Sequence, residues 1–367
     1  MRAAAPKKMS DTVRRLVHLF LLAYLVLLAP LLYFQRSLIY HPSRCERLAA
    51  SDAGLPQAVV YVTVKSHDGL DLHGWLALAG TSPGSVSINA IPLLEAGRPV
   101  VLYFPGNAGN RSMRFVQLAA LGSLNAHVLI VDYRGYAENS GNPSEANFAR
   151  DARSVWNHLT GELGVRPDRV VIYGESLGGG VATRLASELC QEGTEPGGLI
   201  VQSTFSSLVA VGQTHFPVLP VSLILVDRYS SDVRIQRVTC PILQIHGQKD
   251  SIVPLEIGQR LFDAAPANSS RGIAKKQIVM PHTDHNDVYS PGTDASQLTT
   301  GLKSFLEEVD LRRERNAKPT KRTVTQSIKP PVDAGQWGLY FWPIIGSLLL
   351  AAFGILRWRM TNNKPRK

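Results

Sequence analysis

The chain has 367 residues, 44% hydrophobic and 19% charged, with a net charge of +10, enough for one large domain or two ordinary ones. The charge sits at the ends: residues 46–310 hold 20 Lys and Arg against 26 Asp and Glu, the first 45 hold seven against one, and residues 311–367 hold twelve against two. A nucleic-acid surface needs its cations on the folded domain, so nucleic acid is excluded as a partner, and three scattered cysteines (Cys45, Cys190, Cys240) without a CxxC exclude a disulfide framework and a cysteine metal site.

A basic tail, 1–15, precedes the apolar run LVHLFLLAYLVLLAPLLYF at 16–34. Nineteen residues are just enough for the roughly 30 Å hydrocarbon core of a bilayer. The bulky LLYFQRSLIY that follows offers no small-x-small cleavage site, so the run is expected to be an uncleaved anchor rather than a signal peptide.

A single folded domain is expected over 46–310. Segments 59–65 and 70–78 flank Ser-His-Asp-Gly and predict an antiparallel hairpin. Further buried strands are predicted at 100–104, 127–133, 169–174, 198–202, 241–246 and 277–280. Runs such as VVLYF and HVLIVDY are near-continuously apolar, as strands covered on both faces must be. Helices are predicted between them: one capped by Ser144 and running to about Leu159, one over 255–264 and one over 295–308. The resulting fold class is α/β with a mostly parallel sheet. Residues 204–238 interrupt the alternation and are read as a small cap.

Two loops carry the first chemical signals. After the strand 100–104 comes Phe104-Pro-Gly-Asn-Ala-Gly-Asn110, glycine-rich enough for its backbone to approach a substrate; Asn107 is the candidate backbone donor to an oxyanion. After the strand VVIY comes Gly174-Glu-Ser-Leu-Gly178, opening a glycine-rich helix. A G-x-S-x-G between strand and helix forces a sharp turn that exposes a serine hydroxyl, and the next N–H, that of Leu177, is the second oxyanion donor. Ser176 is therefore the candidate nucleophile, and Glu175 is read as a solvent-side filler.

The nucleophile needs a base, and the base an orienting carboxylate. In the order Ser, acid, His, the strand PILQIHG leads to Asp250 and the strand QIVM to His282 and His285. Asp227 in the cap is a weaker alternative acid, and His246 reads as structural. Residue order favours His285 over His282 only slightly. The chemistry asks for no cofactor and no metal.

Together, Phe104-Pro-Gly-Asn-Ala-Gly-Asn110, Asp132-Tyr-Arg-Gly-Tyr136, Gly174-Glu-Ser-Leu-Gly-Gly-Gly180, His246-Gly-x-Lys-Asp250 and His285-Asn-Asp287 resemble the membrane-anchored α/β-hydrolases, the abhydrolase-domain group of lysophospholipases, protein depalmitoylases and serine-aminopeptidase-like members. The resemblance spans about 55–310. It implies an eight-stranded α/β-hydrolase sheet and a Ser176–Asp250–His285 triad, since the group's catalytic histidine begins His-Asn-Asp. One departure is Ala137, where the group usually has glycine after its Asp-Tyr-Arg-Gly-Tyr run.

Beyond the domain come a basic linker, 311–336, a second apolar run, 337–356, with aromatics at one end and arginines past the other, and a basic tail, 357–367. A second span is not typical of the group. Counting basic flanks puts both termini in the cytoplasm and the domain outside. The cap run 215–226 is apolar almost throughout and fits either an acyl-chain contact or a core helix. The expected function is hydrolysis of an acyl ester or thioester, lipid-like by preference, at a membrane. A serine aminopeptidase and a non-catalytic membrane scaffold are the alternatives. Oligomeric state is not legible.

Overall fold

A computed structural model describes residues 11–84, 94, 97–292 and 294–316. The eight strands of the main sheet are β1 (Ala58–Lys65), β2 (Asp71–Leu78), β3 (Val100–Phe104), β4 (His127–Val131), β5 (Val170–Glu175), β6 (Gly198–Gln202), β7 (Ile242–Gly247) and β8 (Lys276–Met280). Their order across the sheet is β8-β7-β6-β5-β3-β4-β2-β1. β1 and β2 pair antiparallel, as do β2 and β4; every other pair is parallel.

The helices are α1 (Asp11–Ile39), α2 (Phe115–Ser123), α3 (Glu145–Asn157), α4 (Leu177–Gln191), α5 (Leu208–His215), α6 (Val221–Ile224), α7 (Ser231–Ile235), α8 (Leu255–Ala264) and α9 (Ala295–Asn316). Because strand side chains alternate between faces, the continuous run of β3 feeds two cores. Val100, Leu102 and Phe104 join Phe148 and Trp156 of α3, Leu185 of α4 and Leu261 of α8. Val101 and Tyr103 join Leu118 of α2 and Leu302 and Phe305 of α9. Each fully buried aliphatic or Phe side chain contributes about 1.5–3 kcal/mol, which explains why these strands carry almost no polar residue.

The chain reverses its direction of travel across the sheet between β3 and β5, which are hydrogen-bonded neighbours although β4 lies between them in sequence. Ligand sites of open α/β sheets form at such a switch point, beyond the carboxyl ends of the strands. The Gly-rich loop follows β3 and Ser176 follows β5.

Three expectations shift. The strand predicted to reach 133 ends at Val131: Asp132 still donates its N–H to His73 O, but its carbonyl is taken by the Asn139 side chain and its carboxylate by Arg111. α9 runs eight residues past 308, since 309–316 (VDLRRERN) contains mostly good helix formers; the start of the supposed linker is helical. The cap is three short helices, α5 to α7, and its apolar run is not a core helix: only Val221 in it is buried, whereas Phe216, Val218, Leu223 and Val226 are exposed. Among the described residues one helix, α1, is long and apolar enough to cross a membrane. Of the expected basic tail 1–15, residues 11–15 open α1; residues 1–10, the rest of the linker, the second apolar run at 337–356 and the tail at 357–367 lie outside the described residues.

Candidate active site

The turn from β5 into α4 is tight. Ser176 adopts φ +52° and ψ −116°, a region that L-residues rarely occupy and that costs on the order of 1–3 kcal/mol. The flanking glycines make it sterically possible. A Cβ on Gly178 would lie 2.1 Å from the Phe104 carbonyl oxygen, and one on Gly174 would lie 2.4 Å from the Gly178 oxygen. The Ser176 N–H donates to Gln202 O at 2.8 Å and Thr204 Oγ1 donates to Ser176 O at 2.7 Å, so β6 and the residues after it lock the elbow from below.

His285 Nε2 lies 3.0 Å from Ser176 Oγ, and its Nδ1 lies 2.8 Å from Asp250 Oδ2. Asp250 Oδ1 also accepts the N–H groups of Ile252 and Val253 at 3.0 and 2.7 Å, which fixes the carboxylate before the histidine reaches it. Both Asp250 and His285 are buried, while Ser176 is part-exposed. The loop bearing the histidine is pinned by Asp284, whose carboxylate accepts the N–H of His285 at 2.7 Å and the N–H of Ser251 at 2.8 Å. Burial alone would raise the Asp284 carboxyl, but these donors hold it below the ordinary carboxylate range.

The competing residues lie elsewhere. His282 is exposed, with its backbone N–H on Asp294. Asp227 is committed to Arg36 and Tyr40. His246 donates through Nε2 to Val253 O at 2.8 Å, bracing the loop that holds Asp250, and burial pushes its pKa down.

Leu177 is the first residue of α4, so its N–H has no intrahelical acceptor. Across from it, the loop holding Asn107 is fastened on several sides. Tyr133 donates to Pro105 O at 2.8 Å and Tyr136 to Asn107 O at 2.7 Å. Asn107 O also accepts the His41 N–H at 2.9 Å, and the Asn107 side chain donates to Ile39 O at 2.7 Å. Its amide side chain is thus occupied, leaving the backbone as its route to a substrate.

Glu175 is not a solvent-side filler. Its side chain is 15% exposed and accepts from Tyr103 at 2.6 Å and from Arg114 Nε at 2.7 Å. Arg114 Nη2 reaches Ala108 O at 3.3 Å, so one guanidinium ties the turn at Ser176 to the Gly-rich loop. Burial, reinforced by the Glu175 carboxylate, pushes the Tyr103 phenol well up and keeps it a neutral donor. Of these braces, Tyr133 and Tyr136 had a signal, their place in the Asp132-Tyr-Arg-Gly-Tyr136 motif; Arg114 and Ile39 had none. Among the described residues, His67, Asp68 and Asp151 cluster closely enough to suggest a cation, and Arg134 already donates to both carboxylates.

The profile of the alpha/beta hydrolase family matches residues 100–234. An uncharacterized protein of Mycobacterium tuberculosis is 41% identical over 274 residues, 75% of this chain and 88% of its own length. The lysophosphatidylserine lipases ABHD12 of Danio rerio and Rattus norvegicus are 34% and 32% identical, over 50% and 60% of this chain. This chain spans only 52% and 59% of their lengths. Among solved structures, a Pyrococcus furiosus esterase aligns over 74% of this chain and 98% of its own with a TM-score of 0.53 at 17% identity. An alpha-beta hydrolase from Vibrio vulnificus does so over 82% and 98%, at 0.53 and 19%. At such identities the structural likeness speaks for fold alone. The sequence relatives carry the rest: this chain belongs to the alpha/beta hydrolase family, in its abhydrolase-domain branch, and is a hydrolase.

Proposed function

We propose that the protein is a membrane-anchored serine hydrolase that cleaves an acyl ester, or the corresponding thioester, of a lipid-like substrate. The observation that carries the reading is the relay from Ser176 Oγ through the two His285 ring nitrogens to Asp250, with both links at 3.0 Å or less. In the proposed reaction Ser176 Oγ attacks the acyl carbon as His285 Nε2 takes its proton, and Asp250 stabilises the imidazolium that forms. The oxygen that gains the charge is held by the N–H groups of Asn107 and Leu177. Collapse expels the alcohol or thiol, protonated by His285, and leaves an acyl-Ser176. Water, deprotonated by the same histidine, then releases the acid and restores the serine. The lipid preference rests on the lysophosphatidylserine lipases among the relatives and on an apolar α1 beside the site. In this reading α1 holds the domain at a membrane, and the second span and the extracytoplasmic domain remain part of the proposal.

The test is covalent trapping followed by a substrate panel. A fluorophosphonate should label the full-length protein and leave Ser176→Ala unlabelled; equal labelling of both rejects the nucleophile. Turnover of acyl esters above aminoacyl amides supports the lipid reading, and the reverse order transfers it to a peptidase.

A further inference from the structure

The polar atoms on an otherwise apolar helix show where the cap sits. α1 carries Tyr24 inside its apolar run and Gln35 just past it. Both side chains reach the cap backbone: Tyr24 donates to Val218 O at 2.9 Å and Gln35 Nε2 to Ile224 O at 3.3 Å, while Gln35 Oε1 accepts the Val226 N–H at 2.7 Å. One residue further on, Arg36 pairs with Asp227, at 2.9 Å from Nε and 3.2 Å from Nη2. The cap segment therefore lies alongside the helix, and the two chains change character together. Residues 208–226 contain no Asp, Glu, Lys or Arg, and charge resumes at Asp227 and Arg228, level with Arg36.

Distance along the helix converts this into depth. Tyr24 and Gln35 are separated by about 16 Å of helix axis at the usual rise, roughly one leaflet of a 30 Å hydrocarbon core. If Arg36 and Asp227 mark the headgroup level, Val218 lies near the middle of the membrane. The surface of the segment suits that place, since Phe216 (41% exposed), Val218 (81%), Leu223 (83%) and Val226 (62%) turn outward beside the exposed leucines of α1.

Its backbone suits it too. Within the hydrocarbon, where no water is available, backbone polar groups must find their partners inside the protein. Pro217 and Pro220 have no N–H to satisfy, and seven of the nine N–H groups from Phe216 to Val226 have acceptors within the protein. The Tyr24 and Gln35 side chains, which would burden a plain anchor, supply partners for the carbonyls of Val218 and Ile224. At its start the segment is tied to the site: His215 Nε2 donates to Ile252 O at 2.8 Å, two residues past Asp250.

We infer that the cap segment 216–226 is inserted in the lipid bilayer alongside α1, so that the site opens towards the hydrocarbon of one leaflet and takes its acyl substrate from there. The occupant of this surface is lipid acyl chain. The inference about delivery rests on the proposed hydrolysis; the insertion itself does not.

The test uses the full-length protein in phosphatidylcholine vesicles, with Cys45 and Cys190 replaced by Ser and a bimane label placed in turn at Leu22→Cys in α1, at Val218→Cys and Leu223→Cys, and at Arg150→Cys on exposed α3. Nitroxides on the lipid acyl chains should quench the labels at 218 and 223 as strongly as at 22, and leave 150 bright. Labels at 218 and 223 that behave like 150, with 22 quenched, overturn the inserted cap and keep the anchor; an unquenched label at 22 overturns both. The double variant Val218→Glu with Leu223→Glu should lower hydrolysis of p-nitrophenyl palmitate carried in vesicles by about tenfold or more, because a carboxylate within a leaflet is strongly disfavoured. Hydrolysis of dissolved p-nitrophenyl butyrate should be unchanged, and an equal loss on both esters overturns delivery through the cap. A wild-type protein that cleaves neither ester strikes at the proposed hydrolysis instead and leaves the quenching result standing.

Discussion

Two apolar stretches of this molecule meet opposite surroundings. Val100–Phe104 of β3 is buried from end to end, whereas four large apolar residues of the cap segment 216–226 are exposed. The strand is covered because both its neighbours and both its faces are filled: β4 and β5 beside it, α2 and α9 on one side, α3 and α4 on the other. The cap segment is met by α1 and by α5, whose Gly212 lies against Val221, and its outer side is left exposed. Hydrophobicity alone therefore does not say which medium a segment meets. What separates the two is the number of faces the rest of the chain can cover. The rigid carboxyl edge of the sheet is suited to hold atoms at fixed distances, and the half-covered cap is suited to meet something apolar outside the protein.

The largest expected effect tests the rigid edge. His285→Ala removes the relay between Ser176 and Asp250, and triad members act as a unit. Turnover should fall by about 10⁴–10⁶-fold, nearly as far as in Ser176→Ala. His282→Ala, on an exposed loop position, should be mild by steady-state kinetics, and the opposite ranking would exchange their roles.

Next in size is Gly178→Ala. The new methyl would sit 2.1 Å from the Phe104 carbonyl, which is backbone and cannot rotate away. A cost of about 3 kcal/mol, at the upper end for overpacking, should appear as a lower denaturant midpoint. A thermally unchanged variant would mean that the β3–β5 edge is far more pliable than the cap.

Glu175→Ala lies between the two in kind, because it leaves Arg114 buried without its carboxylate. Losing the tether between the nucleophile turn and the Gly-rich loop should lower kcat by about 10²-fold, as small misplacements of reacting groups do, with KM for a short ester little changed. Across the molecule, Arg36→Gln should lower stability by about 1–3 kcal/mol, since it strips the guanidinium from Asp227, whose side chain is only 4% exposed, and leaves it the Tyr40 hydroxyl. A larger loss there would show that the cap depends on α1 for its fold as well as its place.

These contrasts also explain what could be read from the residues. β3 follows from a run that is apolar or aromatic at every position, and the turn at Ser176 follows from glycines at which any side chain would have no room. Ser176, Asp250 and His285 each stand past a strand end, where a parallel sheet gathers them at one edge, but His282 stands there too, and only the His-Asn-Asp resemblance singles out His285. Glu175 was misread because its partner Arg114 is 61 positions away in the chain, and nothing local announces the pairing. The docking of α1 on the cap was not legible for a related reason. Hydropathy reports that a helix avoids water, and Tyr24 and Gln35 look like defects until the carbonyls they serve are in place.

The smallest effect concerns Ala137, where the core domain meets the chain leaving α1. Its N–H donates to Ser43 O at 3.1 Å and its carbonyl accepts from Cys45 N–H at 3.2 Å, and those two bonds hold it at φ +48°. A left-handed conformation costs a non-glycine residue about 1–2 kcal/mol. Ala137→Gly removes that cost but gives the unfolded chain more freedom, which takes back about 0.4–1 kcal/mol. The net gain should be near 0.5 kcal/mol, or about 1–2 °C in Tm for a domain of this size, with kcat unchanged. Ala137→Val should move the other way by several times as much, because a β-branched side chain at positive φ is strained and the site is buried. Measured together by thermal unfolding, the two variants must shift Tm in opposite directions. Should glycine also destabilise, the segment Ser43–Cys45 does not enforce the conformation of Ala137, and the chain leaving α1 is held at the Gly-rich loop by the bonds of Ile39, His41 and Ser43 to Asn107, Gly109 and Asn110.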